Sequence, residues 1–193
     1  MNSQNFTDRS AAMKYRYDIA LSYAKENEEL VDAVYHYLKA ENITAFFAPS
    51  PEAQTILSGK NQREVFYRVF GIEAEYAALF VTKDYVAKKV PMEEAKIAFS
   101  KHSGDGKVIP IYLDGTPLPR TLFDPNSTNY YCSSNEAEIA SLLANRIRLD
   151  RQSEQAPKAA ASPAPSGNTM NIHDNTAGVI FSINELNMGK RDD

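Results

Sequence analysis

Tyr17-Asp18-Ile19-Ala20-Leu21-Ser22-Tyr23-Ala24 is an apolar run that breaks off abruptly in small and polar residues. A charged, amphipathic pattern follows from Asn27 onward. In an α/β protein this is how a buried first strand delivers its loop to the carboxyl edge of a sheet, where open α/β folds bind ligands. The loop after this strand is therefore the first place where chemistry is expected.

Working outward, the chain from Tyr15 to about Leu149 alternates strand-like apolar runs with helical periodicity, the signature of a parallel sheet. Strands are expected at 18–22, 44–47, 77–82, 108–113 and, more faintly, 129–132. The first helix is expected over 28–41, with Leu30, Val31, Val34, Tyr35 and Leu38 at helical spacing and Asn27 as its cap. A second, 62–70, carries Val65, Phe66, Val69 and Phe70; a third starts near Pro91, a residue suited to a first helical position, and reaches about Phe99. The last, 136–149, would bury Ile139, Leu142, Leu143 and Ile147.

The flanks differ in character. Residues 1–13 are polar and read as disordered, so the domain is placed at 14–150. An Ala/Pro/Ser-rich stretch, 151–168, has no periodic apolar face and reads as a linker. The tail, 169–193, holds two short apolar runs around Asp174-Asn175-Thr176-Ala177-Gly178, either a short β-hairpin or a disordered tail. Val179, Phe181 and Ile183 alternate there in a face that two strands alone cannot bury. The segment 170–186 is therefore expected to serve self-assembly or a partner rather than the core.

Composition narrows the function. With 193 residues, 43% of them hydrophobic, the chain has material for one ordinary core plus extra segments. A net charge of -4 and a pI near 5.5, without a block of basic residues, point away from nucleic acid. The single cysteine, Cys132, excludes an intrachain disulfide, fits a reducing compartment and is expected to be buried rather than reactive. No apolar run approaches a membrane span and residues 1–10 lack a signal-peptide core. The expectation is a cytoplasmic protein without a membrane partner. His36, His102 and His173 lie too far apart in kind and place for a metal or triad pattern, and 103–107 is a turn before a strand rather than a phosphate loop.

The ordered set of motifs resembles the TIR (Toll/interleukin-1 receptor) domain, in particular the bacterial enzymatic kind. The resemblance rests on the first-strand run and on Ile43-Thr44-Ala45-Phe46-Phe47, Gly59-Lys60-Asn61, Tyr85-Val86-Ala87-Lys88-Lys89 with Pro91 and Glu93-Glu94, and Ile109-Pro110-Ile111-Tyr112-Leu113 with Leu118-Pro119. It covers about residues 15–150. It implies a flavodoxin-like α/β fold, a three-layer sandwich with a five-stranded parallel sheet in the order 2-1-3-4-5. The crevice of such a sheet lies where the order reverses, between strands 1 and 3. Loops 23–27 and 83–91 would enter it. The long connection 48–58 would flank it as the family's BB loop, a mobile element that lines the site or joins neighbouring molecules.

The resemblance also implies an activity: cleavage of NAD between nicotinamide and ribose, with NAD as substrate and no cofactor. That bond breaks through an oxocarbenium-like ribosyl cation, which a nearby carboxylate stabilises. Nicotinamide leaves neutral, so one carboxylate suffices. The family pattern, aligned through Tyr85 and Pro91, places it on Glu94, in the first turn of the third helix. Acidic residues are ordinary there, because they complement the helix dipole. Neighbouring helical residues point about 100° apart, so only one of Glu93 and Glu94 is expected to face the crevice; a one-residue gap would hand the role to Glu93. Many active relatives carry a tryptophan where Val90 stands, and this chain has none.

Substrate contacts are expected from the small-residue loop at Ser22 and Ala24 and from the aromatic faces of Tyr23 or Phe47. Phe46 is a further aromatic candidate, although core packing suits it better. Lys60, beside a helix start, could meet phosphate, but a solvated lysine is the simpler reading. Two functions remain open: an NAD glycohydrolase in a defence or cell-death response, cyclising or hydrolysing ADP-ribose and activated by self-association, or a non-enzymatic adaptor acting through TIR–TIR contacts. The missing tryptophan favours the second, but Glu94 and the crevice make the enzyme the preferred reading.

Overall fold

A computed structural model describes residues 15–155, apart from Ser103, Pro125 and 127–129. The expected disordered N-terminus, the tail, and the assembly segment 170–186 lie outside the described residues. Five parallel strands form one sheet in the order β2-β1-β3-β4-β5: β1 (Tyr17–Tyr23), β2 (Ala45–Phe46), β3 (Ala74–Val81), β4 (Val108–Tyr112) and β5 (Tyr131–Cys132). Helices α1 (Glu28–Ala40), α2 (Pro51–Leu57), α3 (Gln62–Arg68), α4 (Lys83–Ala87), α5 (Lys89–Lys101) and α6 (Glu136–Gln155) complete it. The flavodoxin-like order is the expected one.

Alternation along the strands divides the core between the two faces of the sheet. Ile19, Leu21, Tyr76, Ala78, Phe80 and Ile111 point to one side, where Val31, Val34 and Leu38 of α1 and Ile139, Leu143 and Ile147 of α6 cover them. Ala20, Ala77, Leu79 and Val81 point to the other, under Val65 and Phe66 of α3 and Ala95 and Ala98 of α5. The central pairing β1–β3 is in register from Tyr17 opposite Ala74 to Tyr23 opposite Phe80. Both strands thus end together at the carboxyl edge.

Several local expectations need correction. Asn27 makes no side-chain cap to α1; its Oδ1 instead accepts from Thr82 Oγ1 at 3.2 Å, tying the loop after β1 to the end of β3. The connection 48–58 is not one open loop, because Ser50 caps α2 through Ala53 N and Pro51 sits at its start. After Arg68 the chain widens into a π-turn, Val69–Glu73, before entering β3. The turn presses close to α5: a Cβ on Gly71 would lie 3.3 Å from Ile97 Cγ2. Helix α6 runs to Gln155, past the linker boundary expected at 150. Its last turns are held by Arg151 on Asp18 and by Tyr76 Oη donating to Asp150 at 2.6 Å. Cys132 is exposed, because β5 is a two-residue edge strand.

Phe47 is 2% exposed and lies between Tyr23 and Tyr35, with ring centroids 5.6 and 5.1 Å away. Truncation there removes a large buried ring from the junction of β1, β2 and α1. Phe47→Ala is expected to destabilise the domain by about 3–5 kcal/mol, read as a lower urea midpoint at an unchanged slope.

Candidate active site

The chain around Glu94 is built from the end of β3 outward. Thr82 caps α4 by accepting from Tyr85 N at 3.2 Å, which turns the Tyr85 ring inward, where it is fully buried. Lys88 is extended, and α5 begins at Lys89 rather than near Pro91. Pro91 is thus the third helical residue, still within the turn whose N–H groups have no helical acceptor. Glu94 consequently lies in the second turn, not the first, and points at the sheet instead of at solvent.

There Glu94 is 7% exposed. Ser22 Oγ, from the end of β1, donates to Glu94 Oε2 at 2.5 Å. Ser22 Oγ also meets Tyr85 Oη at 2.8 Å, and Tyr85 Oη donates to the Pro91 carbonyl at 3.1 Å. Burial pushes the Glu94 carboxyl up to about 8, with the Ser22 hydrogen bond pulling the other way. Burial also holds Tyr85 protonated, and the Glu94 charge beside it adds to that.

Glu94 forms part of the wall of an open cleft of about 600 Å³ between α3 and α5. Phe66, Tyr67, Val90 and Ile97 give the cleft apolar surface; Asn61, Gln62, Arg63, Lys89 and Lys96 give it polar and basic groups. Glu93 lines it too and pairs with Arg63 at 2.6 Å. Both neighbouring glutamates therefore reach this cavity, which is not the crevice that only one of them was expected to face. The cavity follows the groove between two helices, wide enough to span both positions. The expected crevice between β1 and β3 is instead bridged by Asn27 to Thr82 and by the Lys88–Glu26 ion pair.

Of the residues expected in the site, Glu94 and Val90 line the cleft; Val90 is 50% exposed there. Ser22 is fully buried behind Glu94, so it acts on the carboxyl through its hydroxyl rather than on a ligand through its backbone. Ala24 is buried, and Phe47 is core, so neither offers a surface to a ligand. Phe46 is core as well. Tyr23 meets Phe47 at a tilted angle, packs against the α1/α6 side of the sheet and does not line the cleft. Lys60 is exposed and stands outside the lining, beside Asn61, which belongs to it. Sequence reasoning did not place Tyr85 in the site, nor Arg63 and most of the other α3 and α5 residues that line the cleft. Tyr85 carried a signal in its fixed distance before Pro91; Arg63 carried none, being one charged residue among several on a short helix.

Comparison with known proteins agrees with this architecture. A family profile for the TIR domain matches residues 19–144, and the chain belongs to that family. It is 30% identical over 143 residues to the 3' cyclic ADP-D-ribose synthase AaTIR of Aquimarina amphilecti, a match covering 71% of this chain and 42% of that protein. The chain therefore spans less than half the length of that relative. Among solved structures, the TIR domain of the Toll-related receptor TRR-2 from Hydra magnipapillata shares the fold, with a TM-score of 0.54 at 15% identity, covering 70% of this chain and 98% of that one. Among the described residues no helix is long and apolar enough to cross a membrane.

A glutamate that keeps its proton longer in the folded than in the unfolded state weakens the fold as pH rises. Below the ordinary value of 4.5 both states hold the proton, so no penalty exists; it grows toward about 8 and is complete above that. At about 1.4 kcal/mol per pH unit, the cost is on the order of a few kcal/mol. Glu94→Gln is therefore expected to be more stable than the wild type at pH 9, with the advantage vanishing near pH 4. Urea melts at the two pH values check it.

Proposed function

We propose that this chain cleaves NAD at the bond between nicotinamide and ribose, with Glu94 as the catalytic carboxylate. The observation that carries the reading is Glu94 itself: a desolvated glutamate on the wall of a cleft of about 600 Å³, oriented by a 2.5 Å hydrogen bond from Ser22. Family membership supports it, as does the relative named for making a cyclic ADP-ribose.

The chemistry follows from charge. As the bond between ribose C1' and the nicotinamide nitrogen breaks, its electron pair goes to the ring, which leaves neutral, and the ribosyl group becomes cationic. A carboxylate in a poorly solvated wall stabilises that cation far more than one in water would. Water attacking C1' gives ADP-ribose after losing a proton; an intramolecular hydroxyl gives a cyclic product. Arg63, Lys89 and Lys96 around the cleft supply positive charge suited to the pyrophosphate. A defence or cell-death response is the role in which NAD depletion or a cyclic product would act. The competing reading is a non-enzymatic adaptor working through TIR–TIR contacts; Val90, which presents no aromatic ring to the cleft, favours it.

Purified full-length protein incubated with NAD is expected to release nicotinamide, with the products separated by chromatography. Glu94→Gln should lower turnover by at least about 100-fold while the protein stays folded. Full turnover in Glu94→Gln with loss in Glu93→Gln would move the role by one residue; no release by the wild type, even when crowded, would leave the adaptor standing.

Because the ionised carboxylate does the work, kcat/KM is expected to rise with pH and level off above about 8, the value to which burial pushes Glu94. The cationic nicotinamide end of the substrate favours the carboxylate, so kcat should level off at a lower pH than kcat/KM. Separate pH profiles of the two constants test this.

Self-association is the proposed activator, through the segment 48–58 with its exposed Pro51 and Glu52. Rate per molecule is expected to rise with protein concentration as assembly populates the competent arrangement. A specific activity that stays constant from dilute to crowded solution would exclude it.

A further inference from the structure

Four oxygens stand in line through the interior between β1, α4 and α5: Glu94 Oε2, Ser22 Oγ, Tyr85 Oη and the Pro91 carbonyl oxygen, separated by 2.5, 2.8 and 3.1 Å. We propose that Ser22 and Tyr85 are positioning residues for Glu94, a line of hydroxyls anchored on the Pro91 carbonyl that sets both the orientation and the proton of the Glu94 carboxyl. The inference rests on the NAD-cleaving reading for its catalytic meaning, but its physical content does not depend on it.

Proton counting gives that content. Three contacts need three protons. With Glu94 ionised, only the Ser22 and Tyr85 hydroxyl protons exist: Ser22 donates to Glu94, and Tyr85 must choose between Ser22 and the Pro91 carbonyl. One oxygen pair is then left facing without a proton between them. With Glu94 neutral, its own O–H donates to Ser22, Ser22 to Tyr85 and Tyr85 to Pro91, and every contact is filled. The neutral carboxyl therefore has one more filled contact than the ionised one, set against the stronger, charge-assisted Ser22 bond of the ionised form.

The two hydroxyls consequently act in opposite senses. Ser22 is the donor that the ionised carboxylate depends on. Tyr85 is the acceptor that lets Ser22 turn away once Glu94 is neutral. Other charged or titratable groups stand around Glu94. Tyr23, at the end of β1, is held protonated by burial first and then by the Glu28 and Glu94 charges. Arg63 of α3 shares the cleft wall but is engaged with Glu93, and Lys89 and Lys96 lie exposed on α5. None of these is part of the oxygen line, so they add a background common to wild type and variants.

The test reads the carboxyl directly. Full-length protein carrying ¹³C at the glutamate carboxyl carbon is titrated by NMR, with Glu94→Gln identifying the Glu94 resonance by its loss. Ser22→Ala is expected to move the Glu94 midpoint upward and Tyr85→Phe to move it downward, each by roughly one pH unit, a tenfold change in the ionised fraction. Ser22→Thr, which keeps a hydroxyl, should return the midpoint toward wild type. The kcat/KM profile should shift in the same two directions. Midpoints that stay put in both variants, or move the same way, overturn the proposal. Should Tyr85→Phe fail to fold, the Ser22→Ala and Ser22→Thr pair decides: a shift in the first without recovery in the second also overturns it. A wild type that releases no nicotinamide would end the catalytic reading and leave the titration result intact.

Discussion

Burying a carboxyl group against the apolar side of a parallel sheet is the constraint on which the rest of this site depends. Glu94 could have faced solvent at the start of its helix, as acidic residues there usually do. It is turned inward instead, and the surrounding structure is arranged to tolerate it. Ser22 stands at the end of β1 with no exposed surface and donates to it; Tyr85 backs Ser22; the Pro91 carbonyl, which keeps a lone pair beyond any helical bond, receives Tyr85. Without Ser22 the Glu94 carboxyl would lose the hydrogen bond that holds it in the interior.

The short helix α4 makes this possible. Its cap on Thr82 fixes where Tyr85 points, and its end at Lys88 lets α5 begin early enough for Glu94 to fall in the second turn. The same Thr82 hydroxyl donates to Asn27, so the loops after β1 and β3 are fastened to each other over the switch point of the sheet. Access to Glu94 is left to the groove between α3 and α5. The π-turn that follows α3 contributes as well, since Gly71 lets it lie close against Ile97 on the cleft wall. At the opposite edge of the sheet, Tyr76 with Asp150 and Asp18 with Arg151 hold the last helix in place.

On the proposed function the arrangement sets stability against chemistry. A carboxyl held above its ordinary value weakens the fold at neutral and alkaline pH, and the same desolvation would strengthen an ionised Glu94 toward a developing cation. Proteins commonly keep such groups where they serve a function.

The strands and helices were legible in the chain by itself, because they follow from periodic apolar runs such as 17–24; the strand order and the place of Glu94 near the start of the third long helix followed from the resemblance of its ordered motifs to the TIR family. Ser22 was legible as a small residue at a strand end, but not as a donor to a glutamate 72 positions away. Tertiary structure alone decided that pairing, the burial of Phe47 and Ala24, and the place of the cleft. The physical reason is one of range. Local patterns report which face of an element is apolar, whereas the groove between α3 and α5 and the meeting of Ser22, Tyr85 and Glu94 depend on how three elements pack. The same holds for Glu93: its angle on the helix is a local fact, but whether a cavity is broad enough to include it is set by a neighbouring helix that the local sequence does not specify.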